Sequence, residues 1–183
     1  MNREEAVSLI KEHIKKDYLF KHILAVESIM RGIARYFNED EELWGLVGLL
    51  HDIDYEKTAD DPKNHGILAE SFLKGKVDEN IIRTIKSHNS EYTGVMPESR
   101  MEKSLIAADA ISGLIVAAAL ILPSKKLADV KVESVAKRFK EKDFARRCSR
   151  ENIMVCEEIE LPKEKFFEIA LKAMQGISDE LGL

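Results

Sequence analysis

Four of the five histidines in this chain have apolar residues three or four positions away, at the spacing of one helix face. The four are His22, His51, His65 and His88. His22, for example, lies four residues before Val26, and His88 lies three residues after Ile85. Helical residues three and four positions apart share a face, so these imidazoles are expected to point inward. His13, which lies among lysine and glutamate residues, is expected at the surface.

Two aspartates belong with these histidines. Asp52 directly follows His51, and Asp109 lies at helical spacing after Leu105 and Ile106. A buried carboxylate without a partner is unfavourable, and a buried imidazole needs partners for its ring nitrogens. A single residue of this kind is more often part of the core than a ligand. Inward polar groups from five separate segments, however, favour convergence on a shared ion.

Imidazole nitrogens and carboxylate oxygens together suit a divalent transition metal, namely manganese, iron, cobalt, nickel or zinc, rather than calcium. The expected ligands are His22, His51, Asp52, His65, His88 and Asp109. These six exceed the four ligands that one tetrahedral ion takes. They fit two ions bridged by a carboxylate, or one ion whose ligands are held in place by the remaining groups.

The segments that carry these residues are predicted to be helices, because no run alternates between apolar and polar residues as a strand would. Helices are predicted at about 2–16, 17–36, 38–50, 61–75, 78–88, 100–122, 124–130, 131–142, 149–160 and from 162 onward. The start signals are a capping box of Asn2 with Glu5, caps at Asp17, Asp61 and Asp78, and either Asn38 or Asp40. Residues 90–99 are predicted to form a loop. The fold class is therefore all-α.

The length of 183 residues suits one compact domain, which is expected to span 1–183. Its metal-binding core would cover about 17–122. No change of composition occurs near residue 123, so the helical extension over 123–183 is expected to pack on the same core. The stretch 105–122 is nearly long enough to span a bilayer, but Asp109 interrupts it, and a buried central helix is the favoured interpretation.

The net charge of −5 gives no general reason to expect a nucleic-acid or membrane partner. The two cysteines, Cys148 and Cys156, form no CxxC motif, so a disulfide framework is not indicated. The charged N-terminus lacks the apolar segment of a secretory signal. A cytoplasmic location is therefore expected, and assembly into a homo-oligomer stays open.

Residues 49–54, which read Leu-Leu-His-Asp-Ile-Asp, resemble the signature of the HD-domain superfamily. His22 resembles the first ligand of that family, Asp109 resembles its last ligand, and His65 and His88 resemble two extra histidines of its dinuclear branch. The resemblance covers roughly residues 17–122. It implies a helical bundle with the metals at its centre.

The resemblance also implies roles for individual residues. His22, His51 and Asp109 would hold one metal, His65 and His88 would hold the other, and Asp52 would bridge them. Asp52 and His88 are accordingly expected to be catalytic. Many members of the family hydrolyse phosphate esters, so the implied activity is hydrolysis of a small phosphorylated molecule, such as a nucleotide, by metal-bound hydroxide.

Substrate binding is expected to involve basic residues outside this ligand series. Some relatives follow the His-Asp doublet with Ile-Gly-Lys, whereas here the nearest lysine is Lys57. The segment 125–150 contains ten basic and four acidic residues, which suits either a solvated face or a rim that attracts an anionic substrate. Arg146 and Arg147 are the candidate phosphate ligands because guanidinium binds phosphate in a bidentate manner. The segment is poor in aromatic residues, so nucleic acid is not expected.

The leaving alkoxide of a phosphate ester needs a proton or a cation. Candidates near the motifs are Asp54, Tyr55, Lys57, Asn89 and Glu91. Two other functions fit the same ligand series. One is a di-iron oxygenase resembling inositol oxygenase, and the other is a metal-stabilised regulatory module without catalysis.

Overall fold

A computed structural model describes residues 1–183 and contains helices but no strands, so the all-α prediction is confirmed. The α-helices are α1 Arg3–His13, α2 Asp17–Phe37, α3 Glu41–Leu50, α4 Tyr55–Thr58, α5 Ile67–Leu73, α6 Glu79–Ser87, α7 Ser90–Thr93, α8 Arg100–Leu120, α9 Val132–Lys140, α10 Arg150–Met154, α11 Lys163–Gln175 and α12 Ser178–Leu181. Two 3₁₀ helices lie at Leu127–Asp129 and Val155–Ile159.

Several helix ends lie where the sequence predicts them. Asn2 and Glu5 form the capping box of α1, and Asp40, rather than Asn38, caps α3 by accepting hydrogen bonds from two backbone N–H groups. The predicted cap at Asp17 is wrong, because Asp17 is already the first helical residue of α2. Its carboxylate instead accepts from the Lys21 ammonium at 2.9 Å.

The largest difference from the predicted helices lies before α5. A helix from Pro62 is predicted, but α5 begins only at Ile67. Gly66 has a φ of +83°, which is incompatible with a continuous α-helix, and it separates the turn at 62–65 from α5. His65 therefore lies in a turn, where its ring is aimed by tertiary contacts rather than by helix register. The short helices α4 and α7 lie in segments where no helix was predicted.

Helix α2 lies at the centre of the fold and packs on α3, α8 and α11. The backbone of α2 lies very close to α3 at Gly48, where a Cβ atom would lie only 2.9 Å from the Cα of Glu27. Glycine at this position therefore allows the two backbones to touch. Because α2 carries His22 and His51 directly follows α3, this close packing brings the first two predicted ligands together.

One continuous apolar core includes residues from both the predicted metal-binding part of the chain, 17–122, and the helical extension after residue 123. Phe166 and Phe167 of α11 are fully buried in the same cluster as Ile29 and Ile33 of α2. Burial of side chains of this size stabilises a fold by about 1.5–3 kcal/mol each. The residues after 123 thus contribute to the packing that positions α2 and its histidine.

Helix α8 is long and apolar enough to cross a membrane by length and composition, and it is the one helix of this kind in the chain. Of its most apolar stretch, 61% is buried inside the protein. The core helix of a soluble protein gives the same signal, so the helix is only weak evidence for a membrane span. Its burial places Asp109 next to the other predicted ligands.

Candidate metal centre

The predicted ligands come from five segments that converge on one point. His22 lies on α2 and Asp109 on α8, while His51 and His88 are the C-cap residues that directly follow α3 and α6. Asp52 follows His51, and His65 lies in the turn before α5. All six side chains come together, although His65 does so from a turn and not from the predicted helix.

Asp52 lies between two pairs of histidines. One carboxylate oxygen, Oδ2, is 3.5 Å from the Nε2 atoms of both His22 and His51. The other oxygen, Oδ1, is 3.4 Å from Nε2 of His65 and 3.6 Å from Nε2 of His88. Each oxygen thus faces a different pair of imidazoles. We call these groups the His22 half-site and the His65 half-site.

Asp109 belongs to the His22 half-site. Its Oδ1 atom lies 3.2 Å from Nε2 of His22 and 4.0 Å from Nε2 of His51. The His22 half-site therefore offers two imidazoles and two carboxylates, if Asp52 is included. The His65 half-site offers two imidazoles and the second oxygen of Asp52.

The opposite ring nitrogen, Nδ1, has a partner in all four histidines. Nδ1 of His51 donates to the carbonyl of Gly48 at 2.8 Å, and Nδ1 of His88 donates to the carbonyl of Ile85. Nδ1 of His65 donates to the Asp54 carboxylate at 2.9 Å. Carbonyl and carboxylate oxygens only accept hydrogen bonds, so these three rings carry their hydrogen on Nδ1. Their Nε2 lone pairs are consequently directed at Asp52.

His22 has the same arrangement through a hydroxyl group. Its Nδ1 lies 3.2 Å from Oγ of Ser112, and that hydroxyl donates to the carbonyl of Asp109 at 2.8 Å. Because the hydroxyl hydrogen is already used, Ser112 accepts from Nδ1 of His22. Its Nε2 therefore also faces the cluster, which is the arrangement typical of histidine ligands to metals.

Two further observations fit a bound cation. Nε2 of His51 is buried and has no hydrogen-bond partner. The Nε2 atoms of His65 and His88 lie 2.8 Å apart, and two lone pairs at that distance repel unless a cation or a proton lies beside them. The nitrogen and oxygen donor set is one that divalent transition metals accept.

The charges of the cluster also favour a cation. Burial lowers the pKa of His22, but hydrogen bonds to Asp109 and Asp52 outweigh it and raise the pKa to about 10. Burial opposes ionisation of Asp52, but His51 and His22 hold its pKa well below the usual range. The pKa of Asp109 is lowered by His22, against the effect of burial. Both carboxylates therefore stay ionised and attract positive charge to Nε2 of His22.

A family model described as HD domain matches residues 19–114, which is more than half of the chain. The chain belongs to the HD-domain family. The resemblance seen in residues 49–54 is thereby confirmed, and the His/Asp cluster of this HD domain indicates divalent metal binding. No curated protein and no solved structure matches the chain.

An open pocket of about 670 Å³ lies over the cluster of this HD domain. Five of the six predicted ligands line it, whereas His51 is fully buried behind them. A volume of this size lies in the range of about 300–1,000 Å³ that is typical of sites for small molecules. Tyr55 and Asn89, two of the candidates for protonating a leaving group, also line the pocket.

The basic residues predicted to bind substrate lie outside the pocket lining. Lys57 is exposed, with its ammonium 4.8 Å from the centre of the Phe72 ring. Arg146 is exposed and pairs with Asp143 at 2.9 Å. Arg147 is also exposed, and its charge opposes the rise that burial causes in the pKa of Tyr55. The role of these three residues in substrate binding stays a prediction.

Two residues near the centre have roles that the sequence did not predict. Lys21 is the basic residue that lines the pocket, and it directly precedes His22 on α2. Asp54 is fully buried, and its carboxylate accepts from His65 and from the backbone N–H groups of Gly66 and Ala69. Asp54 is therefore placed to hold His65 rather than to protonate a leaving group in the pocket. The one feature of the sequence that could have indicated this role is the position of Asp54, two residues after the His51-Asp52 doublet.

Proposed function

We propose that this HD-domain protein is a metal-dependent hydrolase that cleaves a phosphate ester of a small molecule. The observation that carries the proposal is the position of Asp52, whose two oxygens face separate pairs of histidine Nε2 atoms at the floor of an open pocket. A carboxylate shared in this way suits a pair of close metal ions. Pairs of ions are common in enzymes that hydrolyse phosphate esters.

His22, His51 and Asp109 would hold one ion, His65 and His88 would hold the other, and Asp52 would contact both. When bound, the two ions supply Lewis acidity, which activates water and offsets the charge of phosphoryl oxygens. Asp52 and His88 line the pocket, and we propose that both are catalytic.

Residues around the ligands would orient the imidazoles and attract the substrate. Ser112, Gly48, Asp54 and Ile85 fix the four imidazoles through their Nδ1 atoms, so the ligands need little rearrangement when metal binds. Lys21 would attract an anionic substrate to the pocket.

Tyr55 and Asn89 lie at the pocket and have groups that can donate a hydrogen bond to a leaving oxygen. Burial raises the pKa of the Tyr55 phenol, so its hydroxyl keeps its hydrogen at neutral pH. The phenol is therefore available as a donor throughout the physiological range. We propose that Tyr55 or Asn89 stabilises the departing alkoxide.

The proposal is tested by stripping the purified protein of metal, reloading it with manganese or cobalt, and measuring release of phosphate or opening of phosphodiesters. The panel contains phosphomonoesters, cyclic nucleotides and dinucleotides, with oxygen consumption followed in parallel. We expect metal-dependent hydrolysis without oxygen uptake. Stoichiometric oxygen uptake by the iron-loaded protein, with no hydrolysis under any metal, would contradict the proposal and favour the di-iron oxygenase.

The unpaired state of Cys148 and Cys156 suits a reducing compartment. We therefore propose that the protein acts in the cytoplasm on a soluble anionic substrate. Fractionation of cells that express the protein, followed by immunodetection, tests this location. Recovery of the protein with membranes or outside the cell would contradict it.

A further inference from the structure

The pocket over the metal centre has two chemically different parts. Its floor is polar and consists of the ligands together with Asn89 and Ser112. Its wall is formed by α2, α8, the first residue of α4 and the C-terminal residues. Five aliphatic residues and two tyrosines make up most of that wall: Leu19, Ala25, Val116, Leu181 and Leu183, with Tyr18 and Tyr55. A substrate bound by its phosphoryl group at the floor therefore extends along an apolar surface.

Positive charge on this wall is scarce. Lys21 is the one lysine or arginine that lines the pocket, and its ammonium also pairs with the Asp17 carboxylate at 2.9 Å. A second or third phosphate group would lie beyond the metal ligands and find no further lysine or arginine in the lining. The pocket thus suits a single phosphoryl group better than a polyphosphate.

Hydrogen-bonding groups on the wall are also few. Among the side chains of the wall, only those of Lys21, Tyr18 and Tyr55 offer hydrogen-bond partners, and Tyr18 is 65% exposed. A sugar or a nucleobase that enters this wall leaves several polar groups without partners, which weakens its binding. An aliphatic or aromatic group that binds against this wall is removed from water, which makes its binding free energy more favourable.

Resting on the proposed function, we infer that the substrate is a phosphomonoester whose alcohol part is largely apolar. The phosphoryl group lies at the metal floor, and the alcohol part lies against Leu19, Val116 and Leu181. Hydrolysis breaks the bond between phosphorus and the ester oxygen. Water supplies the new oxygen on phosphorus, and the apolar alcohol leaves with one proton.

Binding is tested separately from catalysis with linear alkylphosphonates, which retain the charged head group but cannot be hydrolysed. Calorimetric titration of the manganese-loaded protein should give a Kd that falls about threefold to fourfold with each added methylene, from methyl to hexyl. A Kd that does not change with chain length would overturn the inference.

Val116→Phe tests whether the alkyl chain of the phosphonate binds against the wall of this pocket. Val116 is half-buried on α8, and a larger ring there shortens the space for an alkyl chain. The affinity for hexylphosphonate should fall about tenfold, which equals the lost burial of about two methylenes, while that for methylphosphonate stays nearly unchanged. Val95→Phe, at a half-buried position outside the pocket, serves as the control and should change neither. Equal effects of the two variants would contradict the assignment.

Hydrolysis is then compared for hexyl phosphate and ribose 5-phosphate, which are similar in size. The value of kcat/KM should be about tenfold or more higher for hexyl phosphate, because the hydroxyls of the sugar lose their water partners on the wall. Preference for the sugar phosphate or for nucleotides would overturn the inference but leave the proposed hydrolase intact. Length-dependent phosphonate binding without hydrolysis of any ester would instead overturn the proposed function and support the apolar site.

Discussion

Replacement of Asp54 by asparagine should weaken one half of the metal centre and spare the other. Asp54 is fully buried, and its Oδ2 atom accepts from the N–H groups of Gly66 at 2.8 Å and Ala69 at 2.9 Å. Its Oδ1 atom accepts from Nδ1 of His65 at 2.9 Å. An asparagine that keeps both backbone bonds must turn its NH₂ group toward His65. The His65 ring then has to accept at Nδ1 and carry its hydrogen on Nε2, where the metal lone pair is needed.

The expected magnitude follows from these contacts. Loss of one hydrogen bond to a charged group lowers the free energy of unfolding by about 1.5–3 kcal/mol. For a chain of this length, that corresponds to a decrease in Tm of about 3–12 °C. Loss of a partner that holds a metal-binding histidine typically weakens metal affinity by about 10- to 100-fold. The decrease should be confined to the His65 half-site, because Asp54 does not contact His22 or His51.

Calorimetric titration of the metal-free protein with manganese measures the two binding steps separately, and differential scanning fluorimetry gives Tm. A parallel titration of His88→Ala shows which of the two binding steps belongs to the His65 half-site. Asp60→Asn is the matched control, because Asp60 is exposed on the same segment. Two wild-type affinities in Asp54→Asn, or equal weakening of both steps, would refute the reasoning.

Three further perturbations test the centre and its surroundings. Asp52→Ala should abolish activity and weaken both metals, whereas His13→Ala, at the edge of the fold, should do neither; wild-type metal content of Asp52→Ala by elemental analysis would contradict the bridge. Contacts with Asp109 and Asp52 raise the pKa of His22 to about 10, above its ordinary value of about 6.5. In the metal-free protein, the protonated His22 therefore contributes fully to the free energy of unfolding below about pH 6.5, and this contribution is lost as the pH rises through about 10. Tm of chelator-treated protein should therefore fall between pH 7 and pH 10 (about three pH units), and an unchanged Tm over this range would contradict the ion contacts. Charge reversal of Arg146 and Arg147 should raise KM more than it lowers kcat, which steady-state kinetics with an anionic ester would show; unchanged KM would exclude both as substrate-binding residues.

The sequence predicted most of the helices and the inward position of histidines such as His22 because both follow from local spacing. His22, for instance, shares a helix face with Val26, and this relation holds whatever α2 packs against. The start of α5 could not be predicted in the same way. A Pro after an Asp suggests a helix start, but Gly66 adopts a positive φ because distant residues hold it there. The N–H of Gly66 donates to Asp54, twelve residues earlier in the chain.

The role of each residue around the ligands depends on contacts between segments that are far apart in the sequence. Ser112 holds the ring of His22 across ninety residues, and no local pattern marks that serine as different from others. The apolar wall has the same origin, because Leu181 and Val116 meet at the pocket only after α12 packs on α2. Arg146, in contrast, was selected for its charge alone, and the structure places it outside the pocket lining.

The central claim is that Asp52 joins two metal ions in one centre. A crystal structure of the zinc-loaded protein, with anomalous differences recorded above and below the zinc absorption edge, tests it most directly. We expect two peaks on opposite sides of the Asp52 carboxylate, one about 2.0–2.1 Å from Nε2 of His22 and His51 and the other equally close to Nε2 of His65 and His88. A single peak, or peaks that these four nitrogens do not contact, would contradict the claim.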